Sequence, residues 1–138
     1  MLPSTSGVIT AMQQALNDLH QRRESAVRTC VDADKQAYAY QVEQSDLRLQ
    51  LNEVTRVCHQ LSEQLTHAAA QLDTGQQTSI RERLAAAERH VAGLQAKIQT
   101  IGAAELAARQ CSALATREID DLCAEILRLL TTADGEIR

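Results

Sequence analysis

From Ile9 to Leu72 the chain repeats in alternating steps of three and four residues without a slip. The positions are Ile9, Met12, Leu16, Leu19, Arg23, Ala26, Cys30, Ala33, Ala37, Tyr40, Gln44, Leu47, Leu51, Val54, Cys58, Leu61, Leu65, Ala68 and Leu72; seventeen of these nineteen are apolar. A mean step of 3.5 residues places them all along one side of an α-helix, and a seam that long needs a second helix to cover it. One short stretch, LRLQL at residues 47–51, alternates like a half-buried strand. Its period of two stops at Leu51 while the longer period continues, so Leu47 and Leu51 are seam positions and Leu49 points elsewhere.

The run ends in QLDTGQQTSIRE, residues 71–82. Gly75 suits the left-handed residue that closes a helix. Ser79 followed by Glu82 reads as a capping box that opens the next one. The stepping then resumes through Ile80, Leu84, Ala87, Val91, Leu94, Ile98, Ile101, Glu105, Ala108, Ser112, Ala115, Ile119, Leu122, Ile126 and Leu129, thirteen of fifteen apolar. Gly93 and Gly102 lie inside this run, and the phase crosses both, which favours one continuous helix ending near Asp134-Gly135.

The expected architecture is all-α: a long antiparallel helical hairpin, elongated, forming part of a multi-helix bundle with other chains. It is one structural unit, with an N-terminal tail at 1–5, helix one at 6–72, a turn at 73–78, helix two at 79–133 and a C-terminal tail at 134–138. At 1.5 Å per residue the helices measure roughly 100 and 80 Å. Composition agrees. The two tyrosines are the only aromatics, proline occurs once and glycine five times. Such a chain lacks the rings that supply much of a globular core and is rich in helix formers.

With the turn centred near Gly75, facing residues sum to about 151. Gln44 then lies near Glu105 and Ser112, and the small Ala26, Cys30 and Ala33 face Ile119, Leu122 and Ile126, large against small. Leu16 faces Gly135, while Met12 and Ile9 face nothing. The sequence therefore predicts an overhang of Ile9, Met12 and Leu16 available to a partner.

Two further apolar surfaces lie off the seam. Val31, Tyr38, Val42 and Leu49, spaced seven, four and seven apart, form a second stripe on helix one. Cys123, Leu127 and Leu130 widen the apolar arc of helix two beyond a two-stranded seam. Polar residues within the seam set register or partner choice, and Arg23, Gln44 and Glu105 are the candidates. Glu24, Asp120, Asp121 and Glu125 are possible counter-charges for Arg23.

Candidate chemistry is sparse. His59, Glu63 and His67 share a helical face beside Cys58, but the two-histidine spacing of zinc hydrolases is absent. Tyr38 and Tyr40 lack the basic groove that base stacking uses. No phosphate loop, nucleophile elbow or clustered acid pair occurs, so no enzyme, small-molecule substrate, cofactor or metal is expected. The net charge of −4 is well mixed, with only Lys35 and Lys97 among fourteen basic residues. That balance disfavours nucleic acid. No stretch is long and apolar enough for a membrane span, and the first residues lack a signal peptide's pattern. Cys30, Cys58, Cys111 and Cys123 are widely spaced and read as small apolar fillers in a reducing intracellular compartment.

The functional expectation is a non-enzymatic subunit assembling with other helical chains, different partners being favoured over copies of itself. Cytoskeletal, kinetochore-like, tethering and adaptor complexes are the classes it suits. The alternatives are an amphipathic coat on a lipid or hydrophobic surface, and a chaperone or regulator covering another coiled-coil protein. Scarce lysine and absent interfacial aromatics weigh against the coat.

Overall fold

The computed structural model describes the backbone of residues 5–137, with side-chain surroundings for 6–132, 134 and 135. Among the described residues there are two elements and no strand: α1, Thr5–Ala70, and α2, Thr74–Ile137. They pack against one another as a helical hairpin. Both Gly93 and Gly102 lie within α2, which is unbroken across them.

Burial follows the seam. The buried apolar residues are Ala26, Ala33, Ala37, Leu47, Leu61 and Ala68 from α1 and Ile80, Leu94, Ala108, Ala115, Leu122 and Ile126 from α2. All twelve stand at the three-and-four positions, so the repeat alone decides which side chains leave water. Leu49 is 68% exposed, whereas Leu47 is buried and Leu51 half-buried, which excludes a strand at 47–51.

The turn departs from the expectation at 73–78. It is tighter and earlier, since α1 ends at Ala70 and α2 starts at Thr74. Leu72, not Gly75, takes the left-handed conformation, with φ 59°. The amide of Leu72 donates to the Ala69 carbonyl, and that of Asp73 to the Ala68 carbonyl, both at 3.1 Å. These are the two bonds of a Schellman closure. Asp73 then caps α2: its Oδ1 accepts from the Gln76 amide at 3.0 Å. A carboxylate three residues ahead of that amide satisfies an orphan donor where the helix dipole favours negative charge. Ser79 and Glu82, read as a capping box, instead lie inside α2. An available aspartate cap at residue 73 made the later signals unnecessary.

A left-handed residue with a β-carbon carries about 1–2 kcal/mol of strain. Leu72 is also 84% exposed, so its side chain contributes little by burial. Leu72→Gly is therefore expected to raise stability by about 1 kcal/mol in urea unfolding. An unchanged or lower midpoint would contradict the strain.

Moving the turn changes the register. Across the seam, Cys30 meets Ser112 and Thr116, Asp34 meets Ser112 and Arg23 meets Cys123. The residue numbers of these pairs add to 142–146. Near the turn, Gln77 reaches the Ala68 carbonyl, and Gln44 lies beside Gly102, giving 145 and 146. A value near 145, and not 151, describes the pairing. The difference is close to one heptad, which is why every seam position kept its phase although its partner changed.

Three expectations fall with the register. First, Cys30 faces Ser112 and Thr116, not Leu122. The interval holding Cys30, Ala33 and Ala37 consequently meets the small residues Ala108, Ser112 and Ala115. Alanines at 4–7% exposure on both helices require close backbone approach, the narrow end of helix packing. Secondly, Gln44 sits against Gly102, where an added β-carbon would stand 3.1 Å from its Nε2. Thirdly, the overhang disappears. α2 runs on to Ile137, not to 133, giving helices of 66 and 64 residues. Met12 and Leu16 are half-buried, and Met12 shares a groove with Leu129. Of the three, Ile9 is the most exposed, at 40%. Of the expected tails, Thr5 and 134–137 are helical, while residues 1–4 and 138 lie outside the described residues.

The chain divides into two compact units. One joins residues 1–37 and 107–138; the other, residues 38–106, contains the turn. In the second, Leu61, Ala68 and Ile80 form a buried cluster with Leu65, Leu84 and Ala87 packed on it.

Candidate functional site: apolar surfaces outside the seam

An α-helix that buries one seam leaves its remaining sides to water unless something else packs there. On α1, Val31 of the first unit is exposed, as are Tyr38, Val42 and Leu49 of the second. Tyr38 and Leu49 stand out at 68%. These are the residues the seven, four, seven spacing selected. Sequence reading passed over Val27 of the first unit and Leu106 of the second, which are also large and exposed. Val27 lies four residues before Val31, one turn along the same side of the helix.

On α2, Leu127 at 66% and Leu130 at 48% are exposed, and Leu114 joins them at 65%. Cys123 is exposed too, with the Arg23 Nη1 donating to its Sγ at 4.0 Å. In the 145 register Val31 stands level with residue 114, about thirteen residues from Leu127. That is roughly 20 Å along the axis. Within the first unit, Val31 and the Leu127–Leu130 surface are thus separate patches.

The expected register residues behave unequally. Arg23 is half-buried and reaches along the seam edge to Cys123. Gln44 and Glu105 are half-buried seam residues. A denser polar group lies at a level that sequence reading did not single out. The Ser112 Oγ donates to Asp34 Oδ1 at 2.6 Å. The Cys30 Sγ lies 3.5 Å from Ser112 Oγ and 3.6 Å from Thr116 Oγ1. Ser112 stands among the seam positions, but its pairing with Asp34 depends on the register.

The other candidates are dispersed. Cys58 is half-buried in the seam while His59, Glu63 and His67 are exposed. Glu63 and His67 edge an open groove with Gln76 and Arg83. Among the described residues, no three histidine, cysteine or acidic side chains converge to hold a metal ion. Tyr40 is half-buried at its seam position. A groove in the first unit, lined by Asp18, Arg22, Ala26 and Glu118, mixes both signs of charge. The ion pairs Glu24–Arg28 and Glu53–Arg56 are exposed and lie within α1, where such pairs contribute little. No described helix is long and apolar enough to cross a membrane.

No family model, curated protein or solved structure matches this chain.

Proposed function

We propose that the chain is a non-enzymatic helical subunit that assembles with other helical protein chains through apolar surfaces outside its seam. The supporting observation is the exposure of Tyr38 and Leu49 at 68% each, on a helix whose seam is already covered. Helices added alongside would bury those residues by the packing that closes the hairpin. Each large apolar side chain removed from water contributes about 1–2 kcal/mol. The α1 stripe and the α2 patch differ in composition, which favours unlike partners over copies of the same chain. Adaptor, tethering, kinetochore-like and cytoskeletal assemblies are the classes this suits, inside the cell.

Affinity purification from the native cell, followed by light scattering of the purified complex, tests the reading. Its expected result is a complex of defined stoichiometry whose other members are helical chains. A chain of 15.1 kDa that is recovered and runs alone would contradict it. Strong liposome co-sedimentation without a protein partner would also contradict it, in favour of a surface coat.

A further inference from the structure

We propose that the Asp34–Ser112 hydrogen bond, with Cys30 and Thr116 around it, is a latch that holds the hairpin in its register against a second register one heptad away.

A seam that repeats every seven residues does not by itself define a pairing. Sliding α2 past α1 by seven residues sets apolar rows against apolar rows again. The chain also holds the turn for that slide. Gly75 and the Ser79–Glu82 pair lie within α2; Gly75 would close the first helix three residues beyond Leu72 and Ser79 would open the second six beyond Asp73, a span that includes a turn centre half a heptad further on. Moving a hairpin's centre by half a heptad shifts its facing pairs by a whole one.

Hydrophobic packing discriminates weakly between the two. The slid register sets Ala26, Cys30 and Ala33 against Ile126, Leu122 and Ile119, so small residues meet large ones. It brings Leu72, now 84% exposed and left-handed, level with Ile80. It parts Met12 from Leu129, with which it now shares a groove.

The polar cluster discriminates sharply. In the present register Ser112 Oγ donates to Asp34 Oδ1 at 2.6 Å, and Cys30 Sγ lies within 3.6 Å of both the Ser112 and Thr116 hydroxyls. The Cys30 thiol also donates toward Asp34 Oδ2 at 3.9 Å. A slide of seven residues puts Ile119 where Ser112 stands. The three contacts between the helices are lost together, and only the Cys30–Asp34 contact within α1 remains, with the exposed Asp34 carboxylate beside an aliphatic side chain.

The test is a disulfide competition in the full chain. Cys58, Cys111 and Cys123 become alanine and Cys30 becomes serine, whose hydroxyl takes the place of the thiol in the cluster. Ala26→Cys, Ile119→Cys and Ile126→Cys are then introduced together. Equilibration in a glutathione redox buffer lets residue 26 pair with 119, reporting the present register, or with 126, reporting the slid one. Peptide mapping gives the ratio. The parent is expected to pair 26 with 119 predominantly. Ser112→Ala and Asp34→Ala should each raise the share of the 26–126 bond about fivefold, the order expected for losing one exposed bond to a carboxylate. Ser112→Thr, which retains a hydroxyl, should restore the parent ratio, and Asp32→Ala should leave it unchanged. A ratio unaffected by both latch substitutions, or moved equally by Asp32→Ala, would overturn the proposal. So would absence of the 26–126 bond from every variant.

Discussion

Leu94→Ala is expected to destabilise the chain by about 3 kcal/mol, lowering its Tm by roughly 10 °C. Leu94 is 3% exposed, a seam residue of α2 enclosed between the helices. Truncating it removes apolar burial and leaves a void that two rigid helices fill only in part. Leu49→Ala provides the contrast. Chemically it is the same change, on a residue 68% exposed, and it should shift stability by no more than about 0.5 kcal/mol. Thermal unfolding followed by circular dichroism separates the two. Similar losses for both would mean that the seam is not where the stability lies.

The second large effect concerns association and leaves the fold intact. Val31→Gln, Tyr38→Gln, Val42→Gln and Leu49→Gln together replace the α1 stripe with good helix formers. All four residues are exposed, so the hairpin should unfold at nearly its parental temperature. Binding to the helical partners we propose should weaken much more. Four apolar side chains at about 1 kcal/mol each amount to roughly a thousandfold in Kd. Tyr38 should carry the largest share, since aromatic side chains dominate the energetics of such contacts. Titration of parent and variant against the purified partners, with circular dichroism alongside, gives both numbers. A variant that binds as tightly as the parent would move the interface off this stripe.

Local periodicity was enough to identify which residues of the hairpin are buried. Leu47, Leu61, Leu94 and Leu122 could be assigned to the seam because an α-helix carries its 3.5-residue pattern through every turn, whatever stands opposite. The partner of each was a different matter. Register depends on a few residues at the turn, and there two sets of signals compete. Gly75 and Ser79–Glu82 have the commoner chemistry for ending and starting helices. Asp73, with the Gln76 amide at its N3 position, opens α2 five residues sooner, even though Leu72 must then go left-handed. Isolated from its context, a leucine gives no warning of that conformation.

The same ambiguity shaped the candidate surfaces. Val31, Tyr38, Val42 and Leu49 were legible because an exposed stripe depends only on the helix that bears it. The overhang of Ile9, Met12 and Leu16 depended on where α2 ends and on the register, and it closed once α2 reached Ile137. The Asp34–Ser112 contact was hidden for the matching reason, since the two residues lie 78 positions apart and meet only in one pairing.

Oxidative footprinting read by mass spectrometry, applied to the isolated chain and to the assembly purified from the native cell, bears most directly on whether the uncovered stripe is a contact surface. Tyr38 and Leu49 are expected to be labelled in the isolated chain and protected in the assembly, while Leu94 and Leu122 are protected in both. Equal labelling of Tyr38 and Leu49 in the two samples would contradict the proposed contact surface.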